Sequence, residues 1–214
     1  MPFDQFMEPS IAAACLVVLA VYHLHLIRKI RRDPLSTSTG LTNYHRSIWV
    51  ESVMKERRDI LAVQTLRNWS MAASFLASTS ILIVMGLLSF LFGRALPPDS
   101  SQWLNLWADR GQILWLIKIM LLVLDFFFAF FNFSLSIRYY NHVGLLINVP
   151  PERDPLVTPA TVAHSLNLGT THYTMGMRGF YLAVPLVLWL WGPAWLLIGT
   201  LGLVLTLYKL DRTV

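Results

Sequence analysis

The stretch ILWLIKIMLLVLDFFFAFFNF, residues 113–133, decides the fold. It is long enough to cross a bilayer, whose hydrocarbon core takes about 20 predominantly apolar residues of helix. Lys118, Asp125 and Asn132 interrupt the apolar run. They are spaced by sevens, which puts them on one face of a helix. An ionisable side chain at bilayer depth costs roughly 2.5–3.5 kcal/mol on insertion scales, so it faces protein or water rather than lipid. Asp125 is therefore the first functional candidate, an intramembrane site for a proton, a cation or a small solute, with Asn132 beside it. Lys118 lies near one end of the span and can reach headgroups by snorkelling. Lys118 and Asp125 stand about two turns apart, ~10.5 Å along the axis, too far for an ion pair from backbone position alone. Asp125 needs a donor from another helix, a second subunit or water.

The rest of the chain agrees with a membrane setting. Of 214 residues, 55% are hydrophobic and only 14% charged, with a mean hydropathy of +0.54. Soluble domains carry about a quarter charged residues. The eight tryptophans suit two membrane–water interfaces. The net charge of +5 is not a nucleic-acid signal. Its lysines and arginines sit in connecting segments, where cytoplasmic enrichment of positive charge accounts for them. A single membrane-embedded domain, residues 1–214, is expected. The lone Cys15 permits no intrachain disulfide. It precedes the first apolar run instead of following it, and the acidic start (Asp4, Glu8) argues for an uncleaved signal-anchor.

The first span is read as Ser10–Ile27, ending in the basic stop RKIRRD at 28–33. That places the N-terminus outside and the next segment in the cytoplasm. Asn43 to Asn68 mixes apolar and charged residues as an interfacial amphipathic helix does. It has no Gly or Pro to stop it, so it can run straight into the second span, Trp69–Phe92. That span carries Ser70, Ser74 and Ser78 at four-residue intervals, with Ala73, Ala77 and Ser80 beside them. Small faces let helices approach closely in lipid, and a serine stripe can also line a hydrated path. Gly93–Gly111, with Pro97-Pro98-Asp99, Trp103 and Trp107, reads as an external loop. The third span, Gln112–Ile137, returns inward. After the proline-bounded turn Val149–Pro155, Thr158-Pro159 reads as an N-cap followed by Pro at the first helical position. A second cytoplasmic amphipathic helix, about Pro159–Met175, should follow.

Residues 177–210 fit either one kinked span or a hairpin turning at Gly192-Pro193. The hairpin is favoured: Pro193 opens a helix well, and Trp189, Trp191 and Trp195 flank the turn. Five spans leave only Arg94, Arg110 and Lys118 of the basic residues off the cytoplasmic side. The expected fold is all-α, a bundle of four to five transmembrane helices with two cytoplasmic amphipathic helices. The expected place is the cell membrane, multi-pass (the inner membrane in a bacterium). No internal repeat of the kind that builds inverted-repeat transporters is visible.

Arg67-Asn68, Arg138 to His142, and Arg178 all fall near the cytoplasmic boundary. Three arginines at one level can hold a lipid phosphate or another anion in forked geometry. Metal and haem find no support. His23 and His25 diverge on a helix, His164 and His172 are about 12 Å apart along one, and HExxH, CxxC and CxxCH are absent. No Walker loop, GxSxG or Rossmann glycine pattern occurs, so no catalytic residue, cofactor or metal is expected.

The stretches LAVQTLRNWSMAASFLASTSILI (61–83) and HYTMGMRGFYLAVPLVLWLWGPAWLL (172–197) carry a resemblance. QTLRN at 64–68, the RGFY-x-x-x-P segment from Arg178 to Pro185, and Trp189 followed by Gly192-Pro193 are specific in combination. The chain resembles the membrane-protein family catalogued as Domain of Unknown Function five-nine-nine, found in bacteria and plants, over nearly its whole length. The resemblance implies an integral membrane protein and carries over no catalytic residue. It directs attention to Arg67, Asn68 and Arg178.

Two functions fit these readings. One is an ion, proton or small-solute pathway through a homo-oligomer, because so small a bundle offers little interior to hide Asp125 and Asn132. Arg67 and Arg178 would then form its cytoplasmic mouth. The other is a non-catalytic accessory or scaffold subunit for a membrane-protein partner.

Overall fold

A computed structural model of the chain describes residues 4–95, 110–150 and 153–212. Six α-helices carry them: α1 (Asp4–Arg32), α2 (Ser38–Glu56), α3 (Asp59–Ala95), α4 (Arg110–Leu146), α5 (Pro159–Leu188) and α6 (Pro193–Leu210). Among the described residues the extended pairing is confined to an isolated bridge between Thr37 and Arg212. Four segments are long and apolar enough to cross a membrane: Glu8–Ile30, Ile60–Gly93, Ile113–Leu146 and Pro193–Leu210. The chain is an all-α multi-pass membrane bundle. Its outer surface carries Phe75, Leu82, Leu205 and Leu16, all more than 60% exposed. Apolar exposure on that scale belongs against lipid.

α4 is the axis of the bundle. It is the most buried of the four spans, with α3 packed on one side and α5 on the other. α3 turns Ala73, Ala77, Ser80 and Val84 inward. α5 runs antiparallel to α4 and closer still. Gly169 abuts Tyr139 and Tyr140, Gly176 abuts Phe133, and Gly179 abuts Ala129 and Asp125. A Cβ on Gly176 would lie 2.7 Å from the Phe133 ring, so only glycine permits this approach. Small residues at such intervals let backbones meet where no hydrophobic force drives helices together. α6 packs on α5 and on α1, and α2 packs on α5.

The local stops follow sequence chemistry. Thr37, in extended conformation, caps α2 by accepting from the Gly40 N–H. Thr158 caps α5 in a reciprocal capping box with Thr161, and Pro159 opens the helix. The hairpin at Gly192-Pro193 is present. Gly192 takes φ 136°, a conformation open to glycine, and Pro193 starts α6.

Two expectations are corrected. The amphipathic helix does not run into the second span. Arg57 adopts the left-handed conformation, φ 52°, and the Arg57 and Arg58 N–H groups both donate to the Val53 carbonyl. This glycine-like cap is made without a glycine. The expected helix Pro159–Met175 is not separate either. It is the first half of α5, which continues through Gly176 because packing against α4 carries it on. The Pro97-Pro98-Asp99 segment, Trp103 and Trp107 lie outside the described residues.

Candidate functional site

The seven-residue spacing of Lys118, Asp125 and Asn132 faces α5, and all three side chains are buried. The seam between α4 and α5 thus carries three polar stations in an apolar wall.

At the Lys118 end the station is closed. Lys118 Nζ pairs with Glu8 Oε1 at 2.5 Å and donates to the Trp189 carbonyl at 3.2 Å. It also lies over the Trp189 ring, and Trp189 Nε1 donates to the same Glu8 oxygen. Lys118 therefore does not snorkel. The N-terminal helix supplies a carboxylate, and the pair is buried with its hydrogen bonds made.

The far station is also satisfied. Asn132 Nδ2 donates to the Phe128 carbonyl, and Asn132 Oδ1 meets His172 Nδ1 at 3.0 Å. The His172 ring stacks on Tyr139 at an interplanar angle of 10°. Contact with an amide oxygen assigns the proton to Nδ1.

Asp125, between them, is different. Its Oδ1 and backbone carbonyl face Gly179, and its Oδ2 is buried with no hydrogen-bond partner among the described residues. The Thr200 hydroxyl shares this condition, but a neutral hydroxyl costs far less to bury than a carboxylate. No cation stands in the ion pairs of Asp125 among the described residues. A buried polar group without a partner calls for an account.

The serine stripe lies elsewhere. Ser70 is half-buried, Ser74 and Ser78 are exposed, and the Ser74 hydroxyl bonds back to the Ser70 carbonyl. The small face that α3 packs inward is Ala73, Ala77 and Ser80. Arg67, Asn68, Arg138 and His142 are all exposed and share a level, since Leu66 reaches Gly144 and Trp69 tilts against Tyr140. Arg178 does not join them. It sits about 12 Å deeper than Arg138, because Gly179 lies at Ala129. Its Nη2 donates to both oxygens of Asp211, at 2.9 Å each, and the Tyr22 hydroxyl donates to Asp211 Oδ2 at 2.7 Å.

Sequence reasoning missed Glu8, His172, Asp211 and Arg46. Arg46, on α2, donates from Nη1 to Asn43, Asn167 and Thr170. Burial pushes its guanidinium down from the ordinary value. No group of three His, Cys, Asp or Glu side chains suited to a metal ion comes together among the described residues.

Residues 11–214 match the family model described as Protein of unknown function, DUF599. Comparison with curated proteins and with solved structures gives no match.

Proposed function

The chain belongs to the DUF599 family of proteins of unknown function, and we propose that it passes protons along the α4–α5 seam, with Asp125 as the group that takes up and releases them. One observation carries the reading: a carboxyl oxygen buried in the middle of an apolar span with no hydrogen-bond partner among the described residues. Carboxylates that serve only structure have their hydrogen bonds made, as Asp211 does. Ionisable groups left at membrane depth mark proton and ion pathways.

The packing supports a proton over a larger species. At Asp125 the seam closes on Ala129 and Gly179 at contact distance, a packing that suits a proton carried by single waters better than a hydrated ion. His172 stands farther along the seam, bonded to Asn132, which lies about 10.5 Å from Asp125 along α4. Water entering as α4 and α5 part would bridge that gap. The pathway lies within one chain, because the bundle itself buries Asp125 and Asn132. The orientation that fits the basic residues has the Lys118 end outside and α2 in the cytoplasm, with five helices traversing the bilayer. No catalytic residue or cofactor enters this function.

The test is proton flux in liposomes carrying the purified protein, wild type beside Asp125→Asn. Flux driven by a pH gradient and lost in the variant is expected. No flux from folded, correctly inserted wild-type protein would overturn the proposal. That result would favour the second reading, an accessory subunit. Its support is the exposed cluster of Arg67, Asn68, Arg138 and His142, which makes no ion pair among the described residues.

A further inference from the structure

Between the first turns of α2, the middle of α5 and the last turn of α6 lies a half-open cavity of about 260 Å³. Thr42 and Arg46 line one wall, Tyr173, Arg178 and Tyr181 a second, and Asp211 the third. Its charges do not balance. Asp211 is fully engaged by Arg178 and Tyr22, so that pair is neutral. Arg46 remains, held among the described residues by the neutral oxygens of Asn43, Asn167 and Thr170. Its hydrogen bonds all leave from Nη1, so Nε and Nη2 are unengaged among the described residues. Arg178 likewise donates to Asp211 through Nη2 alone.

A half-buried guanidinium without a counter-charge is costly, and the cost is relieved by an anion in reach of its fork. From this geometry we infer that the cavity binds a phosphate-bearing anion, gripped by Arg46 and Arg178 and rimmed by hydroxyls. Phosphate fits the planar, two-pronged donors of arginine. The cavity is slightly smaller than the roughly 300–1,000 Å³ that drug-sized ligands fill, so it suits a headgroup or a small phosphate rather than a nucleotide. Leu207, Leu210 and Met177 give it an apolar side, on which the glycerol end of a lipid can rest. The site is independent of the Asp125 pathway.

The experiment uses the full chain in a non-ionic detergent and follows the unfolding midpoint by tryptophan fluorescence. The probes are inorganic phosphate, glycerol phosphate, and phosphatidylglycerol against phosphatidylcholine in mixed micelles. A rise with both soluble phosphates identifies a free phosphate as the occupant. A rise with phosphatidylglycerol alone identifies a lipid headgroup. In either case Arg46→Gln should weaken binding at least about tenfold, as loss of charge-assisted hydrogen bonds does, while Arg46→Lys keeps part of it. Arg46 also ties α2 to α5, so Arg46→Gln can fail to fold. Thr42→Glu then decides. Position 42 is four residues before Arg46 and exposed, where a carboxylate pairs with the arginine along the helix. It should raise the midpoint without ligand and abolish the response to phosphate. Equal responses to the two lipids with none to the soluble phosphates, or a phosphate response that survives Thr42→Glu, would overturn the inference.

Discussion

Lys118 and Asp125 share one face of α4, seven residues apart, yet the bundle treats them in opposite ways. Lys118 receives a carboxylate from α1, a carbonyl and a ring from Trp189. Asp125 receives the glycine face of α5 and, among the described residues, no donor for Oδ2. Both are 8% exposed, so burial does not separate them. What separates them is whether a third helix reaches in. α1 brings Glu8 level with Lys118, whereas among the described residues no hydrogen-bond partner reaches Asp125 Oδ2. Two charges of equal sequence prominence thus stand in different surroundings: the first closes a structural joint, and the second keeps an oxygen without a hydrogen-bond partner among the described residues.

The comparison depends on the register of α4 against α5, and the largest expected effect comes from breaking it. Gly176→Leu should cost about 3 kcal/mol or more, or leave no folded protein, because the side chain would enter the Phe133 ring. Gly202→Leu on α6, where no atom lies within 4 Å of an added Cβ, is the control. It should leave the melting temperature in detergent unchanged or slightly raised.

Next comes the closed station. Lys118→Met leaves Glu8 and the Trp189 carbonyl without their cation and should cost about 2–3 kcal/mol. This is below the roughly 3–5 of a fully buried pair, because the Glu8 side chain is 23% exposed. Adding Glu8→Gln should return much of the loss, since an uncharged partner costs less to leave behind. A Lys118→Met protein as stable as wild type would erase the contrast with Asp125.

Arg178 and Asp211 are the same kind of joint at the other end, tying α5 to the end of α6 and through Tyr22 to α1. Arg178→Lys keeps the charge but loses the engagement of both oxygens. It should cost about 1 kcal/mol, and Arg178→Gln about 2. Denaturation followed by tryptophan fluorescence separates the two. If Arg178→Lys is silent, the joint depends on charge alone.

The contrast between these stations was only half legible in the chain. The face formed by Lys118, Asp125 and Asn132 follows from a helical repeat, and the Thr158 cap and the Gly192-Pro193 turn from local backbone chemistry. Such features are set within a few residues. The partners are not. Glu8 lies more than a hundred residues from Lys118, His172 is forty from Asn132, and Asp211 reads as a chain-end charge until α6 brings it back to Arg178. The Arg57 stop was hidden because an arginine in the left-handed region carries no compositional mark. On α3, Ser70, Ser74 and Ser78 and the neighbouring Ala73, Ala77 and Ser80 have similar spacing. Only the position of α4 decides which face packs.

The smallest expected effect on stability is the most informative. Asp125→Asn keeps the volume beside Gly179 and removes a carboxyl whose Oδ2 has no partner to lose among the described residues. It should change stability by less than about 1 kcal/mol, and Asp125→Leu should be neutral to stabilising so far as Ala129 and Gly179 leave room. The sign is the point: replacing Lys118 weakens the bundle, whereas replacing Asp125 does not. A group whose removal leaves the fold intact is not there to hold it. If melting instead shows Asp125→Asn several kcal/mol less stable, Asp125 has a donor in the membrane, and the two residues do the same structural work.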